Sequence, residues 1–279
     1  MIPDTTTLPL INGHRIPRLG MGTWPLTGRT CSEAVERAVG LGYRLFDTAH
    51  QYSNEDAVGA GIRASGIPRD EVFITSKFNK EDHSVDGVRR AYDASLRRLG
   101  VDRLDLFLIH WPVPALDRYV DAWKGLVQLL EDGGVDAIGV SNFKDHHLSR
   151  IISETGVVPD VDQIQLSVDI ARVEQRAYHR RLGIRTQGWS PLGRGGDLLT
   201  DPVIAAMAVR YGKSPAQILL RWHIEKGIVP VPRADSDEHL AQNIDVFDFE
   251  LAADDLAVLG SYDRGEEAAR DPDDPSNGH

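Results

Sequence analysis

Short apolar segments with the character of β-strands recur along the chain, and segments with helical periodicity separate almost all of them. The strand candidates are 18–22, 43–46, 72–77, 104–110, 135–140, 161–165, 184–187 and 228–232. The helix candidates are 31–40, 54–65, 85–99, 119–132, 144–155, 174–182, 201–211 and 214–226. Eight strands that alternate with helices predict an α/β protein with a parallel (β/α)8 barrel, a TIM barrel.

The ends of the chain differ in character from this alternating region. Residues 7–10 and 14–17 flank Asn12-Gly13, a strong two-residue turn signal, and therefore predict an N-terminal β-hairpin at the base of the barrel. A barrel of this kind uses about 250 residues as one unit, so we expect one catalytic domain over 1–265. Residues 266–279 are acidic and contain no large apolar anchor, which predicts a mobile C-terminal tail.

A doubly wound sheet is the alternative architecture for alternating strands and helices. It would carry a Gly-x-Gly-x-x-Gly turn after its first strand. The segment Gly20-Met21-Gly22 lacks the third glycine. The barrel is therefore the better prediction.

Charge and composition restrict the partners. A formal net charge of −11 disfavours nucleic acid, because binding to phosphates needs a basic surface. No apolar run approaches the roughly 20 residues that span a bilayer, and the N-terminus lacks the features of a signal peptide. The single cysteine, Cys31, fits a reducing compartment. We therefore expect a cytoplasmic monomer that acts on small molecules, with no nucleic-acid or membrane partner.

Ionisable side chains stand at or just beyond the carboxyl ends of three strand candidates. Asp47 and Tyr52 follow the second candidate, Lys77 ends the third, and His110 ends the fourth. The carboxyl ends of the strands meet at one face of a parallel barrel, where the catalytic residues of such barrels lie. These four side chains are therefore predicted to share one pocket.

The combination suggests a reaction at a carbonyl group. A tyrosine is a poor acid at neutral pH because its reference pKa is about 10, but a nearby ammonium favours the phenolate. An aspartate can hold that ammonium in place, and a neutral histidine can hold a substrate oxygen. Such a set can protonate an oxyanion that forms on a carbonyl carbon. The carbon must also receive a hydride, which side chains do not supply, so a nicotinamide cofactor is implied.

Other interpretations of these residues remain open. Taken singly, Asp47 could cap a helix, Lys77 could be a solvated charge, and His110 could be a hydrogen-bonded core histidine. Asp47, His50 and His110 could also bind a metal in a barrel hydrolase, although the neighbouring lysine disfavours a cation there. Four such residues at strand ends together favour a catalytic site without a metal.

Six motifs, in order and at barrel spacing, carry a resemblance to a known family. They are Gly22-Thr23-Trp24, Asp47-Thr48-Ala49-x-x-Tyr52-x-Asn54-Glu55, Lys77, His110-Trp111-Pro112, Gly139-Val140-Ser141-Asn142-Phe143 and Ser190-Pro191-Leu192-Gly193-Arg194-Gly195. With them the chain resembles the aldo-keto reductase superfamily over residues 7–265. It is most similar to bacterial members related to the 2,5-diketo-D-gluconate reductases.

The resemblance implies NAD(P)H-dependent reduction of aldehydes and ketones to alcohols. Tyr52 would be the general acid, Lys77 and Asp47 its tuning pair, and His110 the residue that orients the carbonyl. The implied cofactor residues are Thr23, Ser141, Asn142, Gln163, Trp189, Ser190, Leu192, Gly193, Gly195, Arg233, His239 and Asn243. Trp24 and Trp111 would line the substrate pocket. A nicotinamide-binding regulatory subunit with little turnover is the alternative function.

The segment after the eighth strand departs from the family pattern and concerns the cofactor. Many members have lysine and serine where this chain has Arg233 and Ala234, and a second basic position is His239. Three acids lie nearby in the sequence: Asp235, Asp237 and Glu238. NADPH is the expected cofactor, and Arg233 alone could suffice to hold its 2′-phosphate. The substitutions nevertheless predict a weak preference, with appreciable use of NADH.

Overall fold

The computed structural model describes residues 7–194 and 196–277 and shows a barrel of eight parallel strands surrounded by helices. A hairpin comes first, formed by β1 (Thr7–Pro9) and β2 (Arg15–Pro17). The barrel strands are β3 (Met21–Gly22), β4 (Leu45–Asp47), β5 (Phe73–Phe78), β6 (Leu104–Ile109), β7 (Val135–Ser141), β8 (Val161–Gln165), β9 (Arg185–Trp189) and β10 (Val229–Pro230). Each predicted strand is present, with its ends shifted by up to three residues.

The helices lie between and after these strands. They are α1 (Gly28–Gly40), α2 (Glu55–Ala64), α3 (Val85–Leu99), α4 (Tyr119–Glu131), α5 (Asp145–Thr155), α6 (Val173–Leu182), α7 (Pro202–Tyr211), α8 (Pro215–Glu225), α9 (Asp237–Ile244) and α10 (Ala253–Gly260). The last two were missed in the sequence, because eight residues give barely two turns in which to detect a helical period. No described helix has the length and apolar character needed to cross a membrane.

The sheet closes on itself between its first and last strands. The strands pair in chain order from β3 to β10. The N–H groups of Gly20 and Gly22 donate to the carbonyl oxygens of Pro230 and Pro232, each at 3.0 Å. A Cβ at position 22 would lie 2.6 Å from the oxygen of Val231, so glycine permits this close approach. The predicted (β/α)8 barrel is confirmed.

The alternation of side chains along each strand builds two apolar layers. On β6, Leu106 and Leu108 belong to the cluster that fills the barrel, whereas Phe107 and Ile109 pack with the helices outside it. Both faces of the strand are thus covered. This explains why β6 is an apolar run apart from Asp105.

The hairpin closes the amino-terminal end of the barrel. Leu10 and Ile16 belong to the interior cluster. The Asn12 amide donates to the carbonyl oxygen of Asp136 at 2.9 Å and to Oδ2 of Asp160 at 3.0 Å. These partners lie at the starts of β7 and β8, so the predicted position at the barrel base is observed. The base is therefore sealed, and the open end is the one at which the strands finish.

The residues after 265 pack against the barrel in this structure. Glu266 pairs with Arg172 at 2.6 Å, and Lys144 pairs with Asp271 at 2.5 Å and with Asp273 at 2.7 Å. These contacts pass along the rim of the barrel at the carboxyl ends of the strands. The single domain over 1–265 and the mobility of the tail in solution stay predictions.

The contact between α2 and α3 gives a test of the packing. A Cβ on Gly59 would lie 1.8 Å from the carbonyl oxygen of Leu99, the last residue of α3. We expect Gly59→Ala to lower the free energy of unfolding in urea by about 1–3 kcal/mol, because the helices must separate. Gly40→Ala, with no atom within 4 Å of its new Cβ, is the matched control and should not destabilise. Equal stability of both variants would contradict this packing.

Candidate active site

Four polar side chains face the inside of the barrel at its open end. They are Asp47 on β4, Lys77 on β5, Gln163 on β8 and Gln187 on β9, and all are buried. Leu45 and Val161 precede two of them by two residues and belong to the apolar interior. Because side chains two apart share a face, the strands deliver these polar groups to one layer above the apolar fill.

Lys77 occupies the centre of this layer and is 0% exposed. Its ammonium donates to Oδ1 of Asp47 at 2.6 Å, to the carbonyl oxygen of Thr48 at 2.9 Å and to the hydroxyl of Tyr52 at 3.4 Å. The other carboxylate oxygen of Asp47 accepts from the amide of Gln163 at 2.7 Å. A buried charge is tolerated when it is paired and hydrogen-bonded in this way.

Tyr52 reaches the layer from a 3₁₀ turn, His50–Tyr52, just after β4. The amide of Asn54 anchors the turn by donating to the carbonyl oxygen of Leu26 at 2.8 Å. Glu55 adds a second anchor, because it accepts from Ser76 Oγ at 2.6 Å and pairs with Arg98 at 2.5 Å. The Asn-Glu pair of the tyrosine motif therefore fixes the backbone that carries Tyr52.

Burial and charge act against each other on these groups. Burial is the largest effect on Tyr52 and raises its pKa above 10, while the charge of Lys77 opposes the rise. Burial is also the largest single effect on Lys77 and lowers its pKa, but Asp47 and Tyr52 together outweigh it and the pKa of Lys77 is raised. The effect of Lys77 on the pKa of Tyr52 has the direction expected from the sequence, but burial outweighs it.

His110 lies beside the tyrosine. The two rings meet edge to face with centroids 5.7 Å apart. Nδ1 of His110 is 3.2 Å from the side-chain oxygen of Asn79. An amide oxygen only accepts, so in this orientation Nδ1 of His110 carries the hydrogen. A hydrogen on Nε2 instead requires that the amide of Asn79 turn over and donate through its nitrogen.

A cavity of about 780 Å³ opens above the polar layer. Most of the predicted site residues line it: Thr23, Trp24, Asp47, Tyr52, His110, Trp111, Ser141, Asn142, Gln163, Trp189, Ser190, Leu192, Gly193 and Arg233. Lys77 lies beneath it. Trp24 stands at the rim with 47% of its surface exposed, whereas Trp111 is 8% exposed.

One wall of the cavity offers amides and a flat ring. Asn142 donates to Ser141 Oγ at 3.0 Å and accepts from the indole N–H of Trp189 at 2.9 Å. Asn142 and Ser190 hold left-handed backbone conformations, with φ of 62° and 53°. Such strain in residues other than glycine clusters at functional sites. This donor and acceptor set fits a carboxamide beside a planar ring.

The opposite wall is positive. Arg194 lies 4.7 Å above the ring of Trp24, and the Arg233 guanidinium is half-exposed, 3.7 Å from Asp235. Of the three acids expected to crowd this segment, Asp237 is paired with Arg37 at 2.6 Å. The negative charge near Arg233 is therefore smaller than the sequence suggests.

Two predicted cofactor residues, His239 and Asn243, do not line the cavity. His239 is exposed in the first turn of α9, Asn243 is buried in the same helix, and neither lines the cavity. Gly195 lies outside the described residues. The segment that carries His239 and Asn243 begins just after Arg233, outside the rim.

The structure does not bring together Asp47, His50 and His110, the three residues that the sequence left open as metal ligands. Nδ1 of His50 lies 3.1 Å from the guanidinium of Arg98, at the outer side of the turn. Both oxygens of Asp47 are already engaged by Lys77 and Gln163.

Sequence reasoning missed residues whose roles depend on long-range contacts. Asn79 was not singled out, because an asparagine after a strand signals only a loop. Gln187 accepts from the amide of Gln163 at 2.7 Å, and its inward position is visible only once the strand register is known. Arg270 lines the cavity from a segment whose composition predicts no fixed position.

Comparison with known proteins identifies the family of this chain. The aldo/keto reductase family model matches residues 18–263. Methylglyoxal reductase DkgA of Escherichia coli O157:H7 is 42% identical over 97% of this chain and 98% of its own length. The 2,5-diketo-D-gluconic acid reductase B of Corynebacterium sp. is 41% identical over 98% of both chains.

A solved structure extends the agreement to the fold. A Gox0644 mutant in complex with NADPH superposes with a TM-score of 0.91, at 41% identity, over 96% of this chain and 98% of that one. The chain belongs to the aldo/keto reductase family. The predicted family and oxidoreductase class are confirmed.

Proposed function

We propose that this protein reduces aldehydes or ketones to alcohols with NADPH, and that Tyr52 is the proton donor. The observation that carries the proposal is the buried ammonium of Lys77, 2.6 Å from Asp47 and 3.4 Å from the hydroxyl of Tyr52, under a cavity of about 780 Å³. The family supports the activity, and the NADPH complex of a relative supports the cofactor.

The cavity lining fits a nicotinamide dinucleotide. Ser141, Asn142 and Gln163 would hold the carboxamide, and Trp189 would stack on the ring. The loop over Ser190, Leu192 and Gly193, with Arg194, would cover the diphosphate, while Arg233 would face the adenosine end. When bound, this cofactor supplies the hydride that the carbonyl carbon receives.

Burial and charge suit Tyr52 for the donor role. Because burial raises its pKa, the hydroxyl keeps its proton in the resting enzyme and holds it beside the cavity. As negative charge develops on the substrate oxygen, the proton moves from Tyr52 to that oxygen. Lys77 then stabilises the phenolate that is left, and Asp47 keeps the ammonium charged and in place.

His110 would orient the carbonyl by donating from Nε2 to its oxygen. This role requires the tautomer with hydrogen on Nε2, in which Asn79 donates its amide N–H to Nδ1. The walls that Trp24 and Trp111 offer are flat and apolar, which suits small carbonyl compounds. Relatives named for methylglyoxal and diketogluconic acid favour dicarbonyl substrates for this chain.

Replacing the proposed acid tests the mechanism directly. Tyr52→Phe removes the hydroxyl and keeps the ring, so turnover of methylglyoxal should fall by about 10²–10⁴-fold, while NADPH binding, followed by tryptophan fluorescence, stays within twofold. Tyr178→Phe, on the outer helix α6, is the control and should keep wild-type turnover. Retention of more than about a tenth of wild-type turnover, with chemistry rate-limiting, would exclude Tyr52 as the acid.

The departures after the last strand make the cofactor preference testable. We propose a weak preference for NADPH over NADH, because Ala234 offers no hydroxyl to the 2′-phosphate and position 239 is a histidine. His239→Arg should add a charge-assisted hydrogen bond, worth about 1.5–3 kcal/mol, and so raise the kcat/KM ratio of NADPH over NADH about ten- to a hundredfold.

His14→Arg is the matched control for this test. It adds the same charge at the hairpin, at the closed end of the barrel, and should leave the ratio unchanged. A strong wild-type preference for NADPH that His239→Arg does not alter would show that Arg233 alone holds the phosphate.

A cytoplasmic location and a monomeric state complete the proposal. The lone Cys31 is buried in α1, and burial raises the pKa of its thiol to about 11, so it suits a protein that needs no disulfide. Light scattering coupled to size exclusion should give the mass of one chain, 30.8 kDa.

A further inference from the structure

The lining of the cavity is positively charged, whereas the chain as a whole is negatively charged. The protein has a formal net charge of −11. Its cavity is lined by three arginines, Arg194, Arg233 and Arg270, and by one carboxylate, Asp47. Since Lys77 neutralises Asp47, the described lining is positive, which favours anionic ligands. The proposed cofactor position places Arg194 and Arg233 near phosphates and leaves Arg270 without an assigned partner.

The position of Arg270 is fixed by contacts on both sides. Before it, Glu266 pairs with Arg172 at 2.6 Å, and directly after it Asp271 pairs with Lys144 at 2.5 Å. Its own backbone N–H donates to the side-chain oxygen of Gln165 at 2.9 Å. Three contacts within six residues hold this segment against the rim.

A second anchor lies just beyond, at Asp273. Nδ1 of His147 accepts a hydrogen bond from the backbone N–H of Lys144 at 3.1 Å. In the neutral ring the hydrogen is therefore on Nε2, and this nitrogen lies 3.0 Å from Oδ1 of Asp273. Among the described residues, His146, His147 and Asp273 are close enough together for a metal ion. A hydrogen on Nε2 of His147 disfavours a metal at this position, and Lys144 already pairs with Asp273 at 2.7 Å, so these residues hold the tail.

These anchors place Arg270 at one particular sector of the rim. Gln165 is the last residue of β8, pairs in register with Trp189 on β9, and follows Gln163 by two residues. Trp189 and Gln163 belong to the wall that fits the nicotinamide. Arg270 is therefore at the reacting end of the cavity, away from Arg233.

The guanidinium of Arg270 is available to a ligand. The residue is exposed, and its side chain forms no ion pair with any residue in the described part of the chain. An exposed arginine is usually only a solvated charge. Here, however, the backbone is anchored and the residue lines the same cavity as Tyr52 and His110, so little backbone entropy is lost when a ligand binds.

We propose that Arg270 binds an anionic substituent of the substrate, a carboxylate, and so selects oxo acids over neutral carbonyl compounds. This inference rests on the proposed carbonyl reduction. A guanidinium donates two parallel N–H groups to a carboxylate. The carbonyl then lies toward Tyr52 and His110, and the charged end of the substrate lies at the rim.

A pair of substrates that differ mainly in charge tests this role. 4-Carboxybenzaldehyde and methyl 4-formylbenzoate carry the same aldehyde on the same ring, and only the first is an anion. We expect the wild-type enzyme to have the higher kcat/KM for the acid. Arg270→Gln should lower that value about ten- to a hundredfold, as expected for a lost hydrogen bond between charged groups, and change the value for the ester less than twofold.

Three further measurements separate the alternatives. Arg270→Lys should retain part of the preference, and Arg180→Gln, which removes an exposed charge on α6 outside the cavity, should retain all of it. The KM for NADPH should not change in Arg270→Gln. A rise in that KM with an unchanged acid-to-ester ratio would place Arg270 at the cofactor and overturn the inference.

The remaining outcomes distinguish this inference from the proposed function. If the wild-type enzyme reduces both aldehydes and Arg270→Gln leaves their ratio unchanged, the role of Arg270 is wrong and carbonyl reduction stands. If the wild-type enzyme reduces neither aldehyde with either cofactor, both proposals are overturned.

Discussion

The ion pair between Lys77 and Asp47, buried inside a barrel of apolar side chains, is the interaction on which the site depends. An ammonium with no exposed surface is costly unless its charge and hydrogens are satisfied. Here three acceptors surround Nζ, and both oxygens of Asp47 are engaged. Parallel pairing of β4 and β5 brings the partners together although they are 30 residues apart in the sequence. Removal of either partner would leave the other as a buried, unpaired charge.

The barrel makes this arrangement possible by separating two functions along its axis. Below the polar layer, apolar side chains and the N-terminal hairpin fill and close the barrel. Above it, the strand ends and loops form an open cavity with amides on one wall and with Arg194 and Arg233 on the other. The ion pair lies at the boundary, so its charge acts on Tyr52 through protein instead of bulk water, where it would be far more strongly screened.

Sequence reasoning succeeded where the signal was local and failed where it was not. Strands were predictable from short apolar runs, and Asp47, Lys77 and His110 from their positions at strand ends. The inward direction of Gln187 depends on register, and the helices α9 and α10 are too short to show a period. The docking of Arg270 depends on ion pairs to Lys144 and Arg172, each more than 90 positions away in the chain. Composition alone does not reveal such contacts.

The pKa of Tyr52 is a further property that could not be predicted from the sequence alone. From the sequence, the neighbouring ammonium could be counted but the degree of burial could not, so only the contribution of Lys77 to the pKa was predictable. The structure shows that burial dominates and that Lys77 and Asp47 act in opposite directions on the phenol. The pKa of Tyr52 is therefore set by its burial and by its distance from charged groups, more than by the identity of the neighbouring residues.

The most direct test of this account is the pH profile of the reverse reaction, alcohol oxidation, in wild type and in Lys77→Met. Oxidation needs Tyr52 as the phenolate, so kcat/KM should rise with pH as the tyrosine ionises. Without the ammonium, that rise should move to higher pH, since the charge that favours the phenolate is gone. Cofactor binding, measured in parallel, should persist in the variant if the fold is intact. A Lys77→Met enzyme that is folded, binds NADPH and keeps the wild-type pH profile would contradict the central role of the buried ion pair.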